Sequence, residues 1–112
     1  MAQALSNLTV FNEARALLRS VSALRGSRFG DLSDQIQRAT LSVISNIAEG
    51  AGSGSDKQFA RYLKIARGSV NEVEAQLLAL TDIGELPHNP ASIAAANLLG
   101  RRLSTFIKRL TG

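Results

Sequence analysis

The chain has 112 residues, of which 45% are hydrophobic and 20% charged, and its formal net charge is +4. These values predict one globular domain over residues 1–112 and exclude a disordered chain, while the absence of cysteine excludes disulfides and thiol catalysis. No apolar run reaches the roughly 18 residues of a membrane span, and residues 1–10 lack a signal-peptide pattern, so we expect a cytoplasmic protein with no membrane partner.

Apolar residues recur at helical spacing along most of the chain, and the alternation typical of a half-buried strand is absent. The first predicted helix has an apolar stripe with steps of four and three, and Gly26 is its expected end. The second has a similar stripe, which Asp31 is expected to cap and the glycine-rich stretch 50–54 to end. The two stripes are Val10, Ala14, Leu17, Val21 and Leu24, and Leu32, Ile36, Ala39, Val43 and Ile47.

The third predicted helix has the most regular stripe, and its alternating steps of four and three favour near-antiparallel packing against a neighbour. Ser55 and Gln58 at its start are expected to form a capping box, in which the serine hydroxyl accepts a hydrogen bond from the backbone N–H of Gln58 and the Gln58 side chain reaches back. Gly84 and Pro87 are expected to end this helix. The stripe comprises Phe59, Leu63, Ala66, Val70, Val73, Leu77 and Leu80.

The fourth predicted helix begins with Asn89 as its cap and Pro90 at the first helical position. Ile107 widens its stripe. The stripe comprises Ala96, Leu99, Leu103, Phe106 and Leu110. Four amphipathic helices joined by short connections predict an all-α fold, an up-down-up-down antiparallel four-helix bundle.

The second predicted helix carries a further apolar face. Leu41, Ile44 and Ala48 lie on the opposite side from Val43 and Ile47, and one bundle core cannot cover both sides. Either a neighbouring helix wraps far enough round to cover them, or they form a subunit interface. We favour the interface and therefore expect a homo-oligomer.

Polar side chains flank the main stripe of the second predicted helix. Because buried polar groups need hydrogen-bond partners, we expect them to pair with another helix. A pocket for a ligand or metal, built from Glu49 with Glu72 or Glu74, is the alternative, but the Glu-x-x-His pair of helical metal sites is absent, so we expect no metal and no cofactor. The polar residues are Ser42, Ser45, Asn46 and Glu49, and the candidate partners are Ser69, Glu72, Gln76 and Arg38.

No catalytic pattern is evident. His88 is the sole histidine and lies in a predicted turn, and no serine or aspartate has a spacing that recommends a triad with it. The glycines of the stretch 50–54 lack the Gly-Lys-Ser/Thr ending of a Walker loop. We therefore expect no enzyme activity.

Basic side chains cover the arcs of the third and fourth predicted helices that face away from the stripes. Acids are scarce in both arcs, so these cations are suited to phosphate contacts, which give salt-sensitive, sequence-independent binding. The alternative is a solvated helix face. The few aromatic residues lie mostly on stripes and provide no evident stacking platform for single strands. The basic residues are Lys57, Arg61, Lys64 and Arg67, and Arg101, Arg102, Lys108 and Arg109.

Half of the chain carries a series of motifs in a fixed order. They are Gln35-Ile36-Gln37-Arg38-Ala39, Ser45-Asn46-Ile47-Ala48-Glu49-Gly50, Ser55 with Lys57 and Phe59, Ala66-Arg67-Gly68-Ser69, and Glu72-Val73-Glu74-Ala75-Gln76-Leu77. In order and spacing, the segment from Phe29 to about Leu86 resembles the four-helix bundle protein family found in intervening sequences of bacterial 23S ribosomal RNA genes.

The resemblance implies a cytosolic bundle that assembles as a ring-like homopentamer, and it carries no catalytic residues over to this chain. It also implies kinship with the accessory variability determinant of diversity-generating retroelements, a basic oligomer that binds nucleic acid and a reverse transcriptase. The chain departs from the family where Ile44 replaces a frequent proline, so we expect a less kinked helix. It departs again at Ser53, where the family often has a basic residue, which weakens the nucleic-acid inference at that position.

The leading hypothesis is a non-enzymatic homo-oligomer, a pentamer by resemblance, that binds RNA, DNA or a nucleic-acid-processing protein through its basic surface. The alternative is a protein-interaction scaffold with no nucleic-acid role, whose charge only maintains solubility. A small-molecule enzyme ranks third.

Overall fold

The computed structural model describes residues 4–24 and 30–112. A short 3-10 turn, Leu5–Asn7, precedes the first helix. The helices are α1 (Thr9–Ser22), α2 (Gly30–Ala51), α3 (Asp56–Asp82) and α4 (Pro90–Thr111). The described ranges contain no β-strand.

The four helices pack in a closed ring, since each contacts the next in sequence and α1 also contacts α4. The contacts between α3 and α4 show their opposite directions. Phe59 near the start of α3 meets Phe106 near the end of α4, whereas Glu74, further along α3, accepts a hydrogen bond from Asn97, nearer the start of α4. The predicted up-down-up-down bundle is therefore confirmed.

The core lies where the apolar stripes predict it. The stripe residues of α1 are all buried, and α2 and α3 bury theirs apart from Leu32 and Phe59, which are half-buried and pack against the core. The fourth stripe differs in detail: Ile107 is buried, whereas Phe106 and Leu110 are half-buried. Near its end, α4 is therefore rotated slightly about its own axis relative to the prediction, so that Ile107 and not Phe106 faces the core.

Ser55 and Asn89 cap α3 and α4 as predicted. The Ser55 hydroxyl accepts a hydrogen bond from the backbone N–H of Gln58 at 3.2 Å, but among the described residues the Gln58 side chain does not form the return bond of a capping box. The Asn89 side chain accepts one from the backbone N–H of Ser92 at 3.1 Å, and Pro90 follows at the first helical position. Each cap satisfies a backbone N–H that has no partner within its helix.

The two ends of α2 compare differently with the predicted ones. Asp31 lies within the first turn of α2, where its charge is favourable near the helix N-terminus, so its predicted capping role is wrong. At the other end, α2 stops at Ala51, within the predicted glycine-rich stretch, and the turn that follows uses a positive φ of 91° at Gly54. The predicted stop of the first helix at Gly26 lies outside the described residues.

The helices differ in length, with 14 residues in α1 against 22 in α2, 27 in α3 and 22 in α4. Polar contacts show which part of α4 the short α1 covers. The Ser20 hydroxyl hydrogen-bonds that of the buried Ser92, and Glu13 pairs with Arg102. On the other side of this ion pair, the last turns of α4 line a groove together with residues 7–10, which include the first two residues of α1.

Candidate nucleic-acid interface

Basic and acidic side chains lie in opposite halves of α3 and α4. Residues 56–67 of α3 include four basic residues and one acid, whereas residues 68–82 include three acids and no basic residue. In α4, residues 90–100 are uncharged and residues 101–111 include four basic residues and no acid. Because the two helices are antiparallel, residues 56–67 and 101–111 share one end of the bundle; we call them the basic half of the α3–α4 pair.

The basic half contains all eight residues predicted to contact phosphate. Lys57, Arg61, Lys64, Arg101, Arg102, Lys108 and Arg109 are exposed, and Arg67 is half-buried. Of the charged residues in this half, Asp56 alone is acidic. The structure therefore brings the two basic arcs of the sequence to one end of the bundle.

Two of these arginines have fixed positions on the surface. Arg67 donates from Nη1 to the Ser104 hydroxyl at 3.3 Å and so links α3 to α4. The Arg109 guanidinium lies over the ring of Phe106, 5.2 Å from its centroid. A cation held over an aromatic ring in this way gains roughly 0.5–1 kcal/mol at an exposed site.

Arg102 has an acidic partner from another helix. Its Nε lies 3.0 Å from Oε2 of Glu13 in α1, and the two side chains are 50% and 26% exposed. An ion pair this exposed contributes at most about 1 kcal/mol. The other carboxylate oxygen of Glu13 is buried and has no hydrogen-bond partner among the described residues. Sequence reasoning missed Glu13, because the distance in sequence between α1 and α4 gives no sign of the contact.

A groove of about 750 Å³ lies between the start of α1 and the last turns of α4. Arginine side chains, one aromatic ring and neutral polar side chains converge on it. Its lining includes Arg101, Arg102, Arg109, Phe106, Asn7 and Thr9. Cations beside an aromatic ring in a concave site are suited to an anionic ligand that carries a ring of its own.

The three residues of the predicted subunit interface lie on one side of α2. Leu41 is 49% exposed, whereas Ile44 and Ala48 are half-buried and Ile44 packs against the core. The helices of the bundle thus cover this face in part, and Leu41 is its most exposed point. The interface with a second copy stays a prediction.

Among the polar residues that flank the stripe of α2, Ser42 alone hydrogen-bonds to α3 within the described residues. The Ser42 hydroxyl hydrogen-bonds that of Ser69 at 3.2 Å. Asn46 instead donates to its own helix, from Nδ2 to the Ser42 carbonyl oxygen at 2.8 Å. Ser45 and Glu49 are exposed. The prediction that Asn46 pairs with another helix is therefore wrong. The position of a side chain around the helix axis determines which neighbour it can reach, and Asn46 reaches Ser42 of its own helix.

Gly50 and Gly68, both in the sequence motifs, occupy different surroundings. A Cβ at Gly50 would lie 2.9 Å from Cδ1 of Phe59 and 2.9 Å from Cβ of Tyr62. At Gly68, a Cβ would meet no atom within 4 Å. Gly50 therefore lets α2 and α3 approach closely. This role for the glycine depends on the packing of the two helices and cannot be inferred from the sequence.

The remaining polar candidates, Glu49, Glu72, Glu74 and His88, lie outside the basic half. His88 is exposed in the connection between α3 and α4. Across residues 4–24 and 30–112, no three histidine, aspartate or glutamate side chains come close enough to hold a metal ion. In the same part of the chain, every helix is too short or too polar to span a lipid bilayer.

Comparison with known proteins gives one family. The family model described as 23S rRNA-intervening sequence protein matches residues 6–99. The match spans α1, α2 and α3, and it ends before the four basic residues of α4. No curated protein matches the chain.

Proposed function

This chain belongs to the 23S rRNA-intervening sequence protein family, and we propose that it is a non-enzymatic homo-oligomer that binds nucleic acid through the basic half of the α3–α4 pair. The observation that carries the proposal is the segregation of charge along α3 and α4, which places eight basic residues and one acid at one end of the bundle. The helices do not need this arrangement to pack, because all but one of these basic side chains are exposed.

The basic half is suited to phosphates because most of its cations are free. Within the described residues, only Arg102 among them forms an ion pair, with Glu13. Each unpaired side chain that contacts a phosphate releases counterions, which makes binding salt-dependent and insensitive to sequence. Nucleic acid is therefore the partner class that best fits this surface.

A matched pair of variants tests this surface. Arg61→Gln with Lys64→Gln removes two charges from the basic half, and Arg19→Gln with Arg38→Gln removes two exposed charges elsewhere. We expect the first pair to weaken binding to mixed RNA or DNA and to reduce the slope of log affinity against log salt by about 0.7–0.9 per phosphate contact. We expect the control pair to change affinity and slope much less. Equal losses in the two variants would contradict a defined surface.

The proposal of a homo-oligomer is based on the outer face of α2, where Leu41 is exposed beside the half-buried Ile44 and Ala48. Since the helices pack in the order α1, α2, α3, α4, this face lies diagonally across the bundle from α4. Assembly through α2 would therefore leave α4 accessible, and the pentameric ring implied by the resemblance would repeat the basic half on every subunit. Repetition strengthens binding to long nucleic acids through avidity.

Light scattering on two charge insertions tests the oligomer. Leu41→Glu places a carboxylate in the predicted interface, where burial of an unpaired charge costs several kcal/mol. Ile83→Glu is the control, because Ile83 is also an exposed apolar residue, at 59%, but lies outside that face. We expect smaller, still helical particles for Leu41→Glu only. A wild-type protein that is monomeric at micromolar concentration would refute the interface.

A protein-interaction scaffold without a nucleic-acid role is the second candidate. It is favoured by large apolar side chains that remain exposed on the bundle, including Ile65 and Leu78 of α3. Such side chains suit contacts with another protein. Absence of nucleic-acid binding even at low salt would favour this scaffold over the basic-surface proposal.

A further inference from the structure

Resting on the proposed function, we infer that the groove between the start of α1 and the last turns of α4 binds single-stranded nucleic acid, with phosphates on its arginines and a base against the Phe106–Arg109 pair. The groove has a volume of about 750 Å³. Residues 7–10 at the start of α1 form one wall, and residues between 98 and 109 of α4 form the other. This site is a defined part of the basic half and is distinct from the exposed cations of α3.

The arginines of the groove keep donors available for phosphate oxygens. Arg102 uses Nε to contact Glu13, which orients the guanidinium and leaves its two terminal nitrogens for another partner. Arg101 and Arg109 form no ion pair within the described residues. Three guanidinium groups around one groove give a net positive site even after the charge of Glu13 is included.

The aromatic ring of the groove is held from two sides. Phe59 contacts Phe106 edge-on, with centroids 5.0 Å apart and planes at 64°, so the ring is anchored on the core. Arg109 lies over the ring, 5.2 Å from its centroid. Bases of single strands stack on aromatic rings and on arginine guanidinium groups. Phe106 and Arg109 therefore provide a surface on which a base can stack. The sequence does not reveal this surface, because its periodicity assigns Phe106 to an apolar stripe.

The size and chemistry of the groove favour a single strand over a duplex. Its volume falls within the range of roughly 300–1,000 Å³ found for ligand sites, which suits a nucleotide unit and not a double helix. Bases in a duplex are already stacked on one another and cannot reach a ring inside a groove, whereas unpaired bases can. The exposed cations outside the groove, such as Arg61 and Lys64, contact phosphates of either form.

Fluorescence anisotropy with a labelled single-stranded oligonucleotide, and with the duplex of the same sequence, tests the groove. Phe106→Leu keeps an apolar side chain against the core but removes the ring. We expect it to weaken single-strand binding about tenfold, as the loss of one stacked base does, and to leave duplex binding unchanged. Phe11→Leu is the matched control, because Phe11 is also half-buried against the core with an arginine over its ring, but it does not line the groove.

A second pair of variants needs no change in the core. Arg109→Gln and Lys108→Gln each remove one exposed charge from neighbouring positions, but only Arg109 lines the groove. We expect Arg109→Gln to weaken single-strand binding several-fold more than Lys108→Gln, and the two to affect duplex binding equally. This comparison holds even if Phe106→Leu fails to fold.

The outcomes separate the groove from the wider proposal. Equal single-strand losses for Arg109→Gln and Lys108→Gln, or for Phe106→Leu and Phe11→Leu, would overturn the groove while wild-type binding still supported the basic half. A wild-type protein that binds neither single strand nor duplex at low salt would overturn both.

Discussion

The two halves of the α3–α4 pair share one core but differ in charge. Leu63 in the basic half and Leu77 in the other half are both buried, and each half has a polar bond between the helices, from Arg67 to Ser104 in one and from Asn97 to Glu74 in the other. The basic half carries eight cations and the other half three acids. Core packing thus requires apolar side chains at the inner positions along the whole helix pair, whereas the charge of the outer positions can differ from one half to the other.

The halves also differ in their contacts with α1. Away from the basic half, α1 packs against α4 through Ser20 and Ser92. In the basic half, Glu13 of α1 pairs with Arg102, and residues 7–10 at the start of α1 line a groove with α4. The end of the bundle with the highest positive charge therefore also has a groove, and substitutions in the core test whether both halves are nevertheless packed equally well.

The largest expected effect comes from opening the core. Leu63→Ala in the basic half and Leu77→Ala in the other half remove side chains that are 0% and 2% exposed. We expect each to lower the free energy of unfolding by about 2–5 kcal/mol, through lost burial and a cavity. Denaturant unfolding followed by circular dichroism measures this. A loss below about 1 kcal/mol for Leu63→Ala alone would show that the basic half is loosely packed.

The next effect concerns the close approach of α2 to the basic half. Gly50→Ala places a Cβ 2.9 Å from Phe59 and Tyr62, so we expect a loss of about 1–3 kcal/mol from overpacking. Gly68→Ala is the control, because a Cβ there meets nothing and alanine is the better helix former, so stability should rise by about 0.5–1 kcal/mol. Thermal unfolding of both variants checks the sign. Stabilisation by Gly50→Ala would contradict the close approach.

The smallest expected effect on the free energy of unfolding concerns Asn46, which bonds to Ser42 near the boundary between the halves, where Ser42 also bonds to Ser69 of α3. Asn46→Ala removes two hydrogen bonds to Ser42 from a half-buried side chain, and we expect a loss of about 0.5–1.5 kcal/mol. Ser45→Ala, at an exposed neighbouring position, should change stability little. Denaturation midpoints of the two variants test this, and equal midpoints would show that the Asn46 bonds contribute nothing.

Much of the fold was predictable because helical periodicity assigns each residue to a face of its own helix. The stripes of α1 and α3 are buried almost throughout, and Ser55 and Asn89 cap their helices as predicted. These features depend on residues within a few positions of one another. The predictions that were wrong involve ends or partners, as at Asp31, which lies inside its helix, and Asn46, which bonds within its own helix.

The helices, their inner faces and the basic arcs of α3 and α4 follow from the amino-acid sequence alone. The surroundings of those arcs depend on the packing of the helices: Arg102 pairs with Glu13, Arg109 lies over Phe106, and a groove lies between α4 and the start of α1. The physical reason is that periodicity along one helix carries no information on how far neighbouring helices are shifted along their axes. That shift, set by packing of complete side chains, determines which distant residues meet.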